Sequence, residues 1–506
     1  MVSSPYTSLP SFRSIIQQCR TGNTTPGDKE EDSPPTSDPE SAPESSHEPD
    51  WENDPRNPYN WSDGKRLYHT ICVSLYAFTV TYMSSAYAPG AKATGHDLHV
   101  SETVSLLGIS LFCLGLAFGP VIGAPLSESA GRLIVYRLGL PICILFLVGA
   151  ATSNNIGGVV ICRFFAGVFG SPALSVGGGT MADMWPPARR GPATALFVMA
   201  PFMGPCIGGF VVERLNWRWL EWVSVFWGVA TCIFAIGMQE TYKKILLARG
   251  NKQTIREKLS SRMKMPTLSW SAIHKWASES LVTPVHLLFT EPIVLFLSLY
   301  IGFDFAVLYA FFASIPLVFQ QTYGFNSHQN GLVFISLGIG ALLATATNII
   351  CDRLIYQKKA KEARERGETG HIPPEQRLYP AMMGSLGVAI GLFWFAWTAR
   401  LDIHWISPVL ALIPFNWGNL CIFACSITYM IDCYGARYGA SALSANAFTR
   451  YVFAAAFPLF VIQMYNNLTT KWAASLLGFI AIALIPIPWV LFRFGASIRR
   501  KTRYAL

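Results

Sequence analysis

Apolar residues in this chain come in runs longer than the one-sided stripes of soluble helices. Twelve runs can be counted, at roughly 68–89, 104–127, 134–153, 157–181, 192–212, 219–239, 290–319, 329–350, 379–399, 404–430, 440–464 and 472–494. Each is long enough for a bilayer core, which takes about 20 helical residues. A polar stretch at 241–288 separates the first six runs from the last six. The pattern predicts five segments: a disordered tail over 1–66, six helices in 67–240, a loop over 241–288, six helices in 289–495 and a basic tail over 496–506.

The polar connections are unequal. One set carries Arg132 and Arg137, Arg189 and Arg190, nine bases from Lys243 to Lys275, seven from Arg353 to Arg377, and Arg499, Arg500, Lys501 and Arg503. The other set holds Lys92, Arg214, Arg218, Arg400 and Lys471. Basic connections stay on the cytoplasmic side, so both termini are expected there. The net charge of +9 reflects this placement, and no nucleic-acid partner is expected. Residues 1–60 run against it, with eleven acids, four bases and ten prolines. Such a segment cannot form a core, and no apolar signal-type stretch lies near Met1.

Composition agrees with the pattern. The chain is 506 residues, 51% hydrophobic and 14% charged, with mean hydropathy +0.34. Soluble domains carry about 25% charged residues. The eleven cysteines lie mostly in apolar runs without metal-ligand spacing, so they read as free thiols, and no metal or cofactor is expected. No nucleotide-binding or hydrolase motif occurs, so the chain does not read as an enzyme.

The densest local signal is RFFAGVFGSPALSVGGGTMADMWPPARRGPATALFVMAPFMGPCIGG, residues 163–209. Arg163, Gly167 and Gly170 share one helical face. An Arg at bilayer depth costs about 3 kcal/mol, so it should face protein or water. It is either a mechanistic residue or a structural tether. Ala200, Gly204 and Gly208 form a small-residue face beside Pro205, which fits a close helix contact.

These residues carry a family resemblance. Arg163-x-x-x-Gly167 resembles the fourth-helix Arg motif of the major facilitator superfamily. Gly204-Pro205-x-x-Gly208-Gly209 resembles the "antiporter" motif of its drug:proton antiporters. The whole stretch is similar to the fungal twelve-spanner branch, whose members export drugs, polyamines or mycotoxins. Further similarity lies in Asn57-Pro-Tyr-Asn-Trp61, where Trp61 suits an interfacial anchor, and in LLFTEPIVLFLSLY, PLVFQQTYGFN, IGLFWFAWTA and SLLGFIAIALIPIPW. The resemblance implies an all-α membrane protein of the major facilitator fold, with twelve transmembrane helices in two six-helix bundles. It implies a proton-coupled exporter of small amphipathic compounds such as drugs, fungicides or secondary metabolites. An importer or polyamine transporter of the same fold is the alternative, and a non-transporting sensor a more distant one. Expected partners are the substrate, protons and the lipid bilayer. A monomer in the plasma membrane is expected, with the vacuolar membrane as the other location.

Other positions are read from this frame. Ala124-Pro-Leu-Ser-Glu128-Ser-Ala-Gly131-Arg132 is similar to the superfamily's gating motif, with Glu128 for the usual Asp, Leu133 for a second base and Ala130 for an aromatic. Asp183 can pair with Arg132 or Arg189, or stand solvated. SANAFTRYVFAAAFPLF resembles the branch's eleventh-span pattern, and there Arg450 is either a tether or a transport residue. The superfamily lines its cavity with spans 1, 4, 7 and 10. That makes Tyr76, Met83, Tyr87, Asn416, Asn419 and Phe423 candidate contacts, with packing as the other reading; Asn446 joins them because it shares a face with Arg450. Asp304 lies mid-span in IGFDFAVLYAFF, where a carboxylate is a functional hypothesis by default. It is read as a proton or cation site, a structural hydrogen-bonding group, or a residue nearer the surface than its position suggests. Among the spans it is expected to be essentially the only acid. Asn467-Leu-Thr469 is a weak glycosylation sequon.

Overall fold

A computed structural model describes residues 51–185, 203–250, 282–366, 373–502 and 504. The tail over 1–50, the bases Arg189 and Arg190 and most of the 241–288 loop lie outside the described residues. The described residues are helical and contain no strand.

The first half holds α1 (Asp63–Ser85), α2 (Glu102–Ala130), α3 (Arg132–Thr152), α4 (Ile156–Met184), α5 (Met203–Arg214) and α6 (Arg218–Phe234). The second holds α7 (Pro292–Tyr323), α8 (Ser327–Cys351), α9 (Tyr379–Thr398) and one continuous helical trace, Ile406–Leu484. That trace breaks at Gly435 (φ 57°) and Thr469 (φ 63°), giving α10 (406–434), α11 (436–468) and α12 (470–484), the last extended by Pro486–Lys501. Among the described residues, ten stretches are apolar and long enough to cross a bilayer by length and composition. One of these, Tyr438–Lys501, contains both α11 and α12, and α5 starts where description resumes, so the pattern fits twelve spans.

Local chemistry sets the helix ends. The side chains of Ser62, Ser101 and Asn155 accept from the first-turn amides of α1, α2 and α4. Asn326 and Gln329 form a reciprocal capping box on α8. Gly131, at φ 103°, turns α2 into α3; a Cβ there would fall 2.3 Å from Glu240 Oε2. Backbone of that kind selects glycine.

Close approach builds the first bundle. Gly115, Gly119 and Gly123 form an i, i+4, i+8 row on α2 against α4. A Cβ at Gly115 would sit 2.3 Å from Phe164 O, and one at Gly167 2.2 Å from Phe112 O. Without side chains the two backbones pack in direct contact, as membrane helices do when small residues meet. On α9 and α10, Gly384 and Gly418 repeat the device; a Cβ at Gly418 would lie 2.2 Å from Gly384 O.

Composition suggested disorder as far as residue 66, and the described residues correct this from residue 51 on. Residues 51–62 are structured: Asn57 caps a short 3-10 turn, and Tyr59 OH donates to Ala182 O at 2.9 Å. Trp61 is buried against His69 and under Lys65, so it anchors the start of α1 inside the protein and is not the interfacial residue expected.

Candidate functional site

Arg163 sits in α4 with 1% of its surface exposed. Its Nε donates to Gly108 O of α2 at 2.8 Å and its Nη2 to Met83 O of α1 at 3.0 Å. Its Nη1 donates to Glu221 Oε1 of α6, and the rings of Tyr87 and Phe112 lie 4.4 and 5.1 Å from the guanidinium. One side chain thus ties α1, α2, α4 and α6. Glu221 is 1% exposed, and its Oε2 accepts no hydrogen bond among the described residues. It corrects the expectation of a single span acid. The signal was available, since Glu221 interrupts the apolar run Trp219–Phe226 as Asp304 interrupts its own.

At the other end of this half, Arg132 Nε meets Asp183 Oδ2 at 3.1 Å, Ser127 Oγ accepts from the same guanidinium, and the Tyr242 ring lies 4.9 Å away. Glu240 accepts from the amides of Arg132 and Leu133 at 2.9 and 3.1 Å, capping α3. Sequence reasoning missed Glu240. Glu128, the acid of the motif, is exposed and outside this cluster. The second half has a counterpart that was also missed. Arg377, before α9, donates to Asp432 at the end of α10, meets Asp352 at 3.4 Å and stacks 3.8 Å from the Tyr356 ring. Beside it Arg499 of the last helix pairs with Glu375 at 2.8 Å.

Asp304 is 1% exposed, and neither carboxyl oxygen has a hydrogen-bond partner among the described residues. It shares a helical face with Phe311, seven residues on, whose ring packs against Phe395 of α9 and Phe415 of α10. Gly302, on the opposite face, meets Phe453 and Thr449 of α11. Asp304 therefore points into the second bundle. Asn419 donates to the Asp304 backbone carbonyl at 3.3 Å, and Asn416 to Leu337 O of α8 at 2.6 Å. Both asparagines stitch helices within the bundle, and Asn446 does the same toward Ser298 at 3.4 Å.

Tyr76 packs on Tyr136 of α3, Met83 on Cys143, and Tyr87 on Arg163, all buried within the first half. Phe423 differs. With Phe305 and Tyr451 it rings the Arg450 guanidinium at 4.6–4.7 Å. This cage lies where the halves meet: Tyr309 OH and Ser84 Oγ are 2.9 Å apart, and the Phe118 and Phe448 rings 6.0 Å. A second contact between halves uses the antiporter-type residues. A Cβ at Gly209 would lie 2.5 Å from Ser327 O of α8, while Gly204 and Gly208 back onto Ser85 of α1 and its C-cap Ala86. Pro205 is buried at the start of the described part of α5; its carbonyl lies 3.1 Å from a Cβ built at Gly331. Nearby, His328 N donates to Glu213 Oε2 at 2.9 Å. Asn467 is exposed, two residues before the break at Thr469.

Two bundles of membrane-length helices in contact, each with buried charged residues, are the setting for comparison with known proteins. Residues 73–458 match the family model described as Major Facilitator Superfamily. The chain belongs to that superfamily. The "MFS-type efflux pump MFS2" of Trichophyton rubrum is 40% identical over 461 residues, covering 90% of this chain and 76% of the relative. "Polyamine transporter 4" of Saccharomyces cerevisiae is 36% identical over 480 residues, covering 89% and 72%. "Major facilitator superfamily multidrug transporter mdrA" of Aspergillus fumigatus is 38% identical over 466 residues, covering 90% and 75%. Among solved structures, the proton:xylose symporter XylE bound to 6-bromo-6-deoxy-D-glucose aligns with TM-score 0.60 at 16% identity, covering 86% of this chain and 96% of that one. That likeness shows the fold. As a member of the superfamily, this chain is a multi-pass membrane transporter and not an enzyme.

Proposed function

We propose that this transporter is a proton-coupled exporter of small amphipathic compounds, working as a monomer in the plasma membrane with both termini cytoplasmic. The observation that carries the coupling is Asp304, a buried carboxyl group with neither oxygen hydrogen-bonded. A bare carboxylate in such a place is costly. Carrying a proton lets the group stay buried, and losing it calls for water or a counter-charge, which alternating access can bring. Glu221 is also buried within a span, and it already has Arg163 as partner.

Export is supported by relatives named as efflux pumps and multidrug transporters. The relative named as a polyamine transporter favours the second reading. A polyamine calls for several carboxylates, whereas Glu221 is already paired with Arg163 and Asp304 is turned into a bundle. The energetics suffice. One pH unit and 100 mV release about 1.4 plus 2.3 kcal/mol per proton, enough for a neutral-solute gradient on the order of 500-fold.

The test is accumulation of a fluorescent amphipathic compound in inside-out vesicles with an acidic interior. Accumulation that collapses with the pH gradient supports the reading. Accumulation indifferent to the gradient removes proton coupling, and accumulation only in right-side-out vesicles makes the protein an importer.

A further inference from the structure

We propose that Arg450 and the three rings around it form an anion-recognising subsite, and that the transported compounds include amphipathic monoanions: a flat apolar body bearing one carboxylate. The inference deepens the exporter reading above and rests on it.

Arg450 is 8% exposed, makes no ion pair, and has no hydrogen-bond partner for its Nε among the described residues. Arg163 shows what a fully partnered arginine looks like in this protein: two backbone carbonyls, one carboxylate and two rings. Arg450 has the rings without the carboxylate and the carbonyls. Its Nε is buried without a partner among the described residues, and a planar carboxylate is the group a guanidinium's fork of donors fits.

Position argues in the same direction. The three rings come from α7, α10 and α11, and the cage adjoins the contact between halves. Phe305 is the one partly exposed residue in the stretch 300–312. On α10 the partly exposed Phe423 and Ile427 and the exposed Ile431 follow at i, i+4 and i+8, an apolar track running from the cage toward the Arg377–Asp432 end. A compound sliding along that track would set its apolar body against Phe305 and Phe423 and its charge on Arg450. A polycation would meet an unneutralised guanidinium instead.

Binding to the full-length protein in lipid nanodiscs tests this with three probes of one shape: 4-butylbenzoate, 4-butylbenzamide and 4-butylbenzylamine, at a pH where the acid is ionised. The acid should bind about tenfold or more tighter than the amide, the scale of a hydrogen-bonded charge pair, and the amine weakest. Arg450→Gln should bring the acid-to-amide ratio to near one, and Arg450→Lys should leave an intermediate ratio, since a point charge remains without the fork. A wild-type ratio near one overturns the proposal whether or not the variants fold, and so does an Arg450→Gln protein that keeps the preference. Export of a neutral dye from cells is read in parallel. Dye export without an acid preference overturns this subsite alone. An acid preference with no export of any probe overturns the exporter reading alone.

Discussion

In the first half, Arg163 and Glu221 meet in the middle of the bundle, each the answer to the other's charge. In the second half, Asp304 and Arg450 are buried to a similar degree and each stands without a counter-charge. The basic ends of the two halves differ far less: Arg132–Asp183 in one is matched by Arg377–Asp432 in the other. Pairs that recur in both halves suit a shared structural job. Charges that are matched in one half and bare in the other suit a division of labour, with the first bundle held rigid and the second left with groups for a proton and a ligand to satisfy.

The comparison is broken most strongly at Glu221. Glu221→Ala leaves the Arg163 guanidinium buried without its acid, which should cost about 3–5 kcal/mol. Thermal unfolding in detergent should show a large drop, and surface expression should fall. Joint replacement of Arg163 and Glu221 by leucine should restore much of the stability, because apolar pairs of similar volume often do as well. Arg163→Lys keeps the charge but not the three-way geometry; it should reach the membrane and lose most export. Full export by that variant would make Arg163 a tether and nothing more.

Next in size are the glycine contacts. A Cβ at Gly204 would lie 2.1 Å from Ser85 Oγ and 3.0 Å from Ala86 N. Gly204→Leu should therefore cost about 1–3 kcal/mol and abolish export. Gly204→Ala should be partly active, and adding Ser85→Ala should recover more of it, since the Ser85 hydroxyl is the nearest obstacle. A leucine tolerated at normal stability and expression would refute the close contact.

How these residues stand in the sequence explains what could be read there. The Arg163–Gly167 and Gly204–Gly208 faces are local, i to i+4, so helical spacing alone places them together. The twelve apolar runs rest on the same kind of local information. Glu240 caps α3 across 108 residues of chain, and Arg377 finds Asp432 across 55; no spacing rule reaches that far. Asn416 and Asn419 were on a readable face, but a helical wheel does not say which neighbour the face meets, and here it is α8 and α7. Glu221 was legible and overlooked, because it lies near the end of its run, where an acid passes for a solvated terminus.

Smaller effects are expected where the halves agree. Arg132→Ala and Arg377→Ala each remove a half-buried ion pair, with side-chain exposures of 17–28% for the four groups. Each should cost about 1 kcal/mol, and the two should be alike to within about 0.5 kcal/mol. Thermal shifts in detergent measure this. A much larger loss at either end would show that the two clusters do different work after all.

The smallest effect on stability is expected at Asp304, and it sharpens the comparison most. Removing one member of a buried pair is costly because it strands the other, as at Glu221. Asp304 strands nothing among the described residues: its oxygens hold no hydrogen bond there, and the link from Asn419 goes to its backbone carbonyl. Asp304→Asn keeps the volume and that backbone link, so its thermal stability should stay within about 1 kcal/mol of wild type. Transport should change in kind. A permanently neutral side chain cannot take up and release a proton, so the variant should still bind compounds and exchange them down a gradient without concentrating them. In inside-out vesicles with an acidic interior, wild-type accumulation should fall when the pH gradient is collapsed, and the variant should show no accumulation to lose. Two results would count against the reading. A large loss of stability would mean that Asp304 is tied into the fold by contacts the bundle conceals. Accumulation with a wild-type pH response would move the proton elsewhere, and Glu221, with one oxygen on Arg163 and the other unbonded, would then be the acid to test.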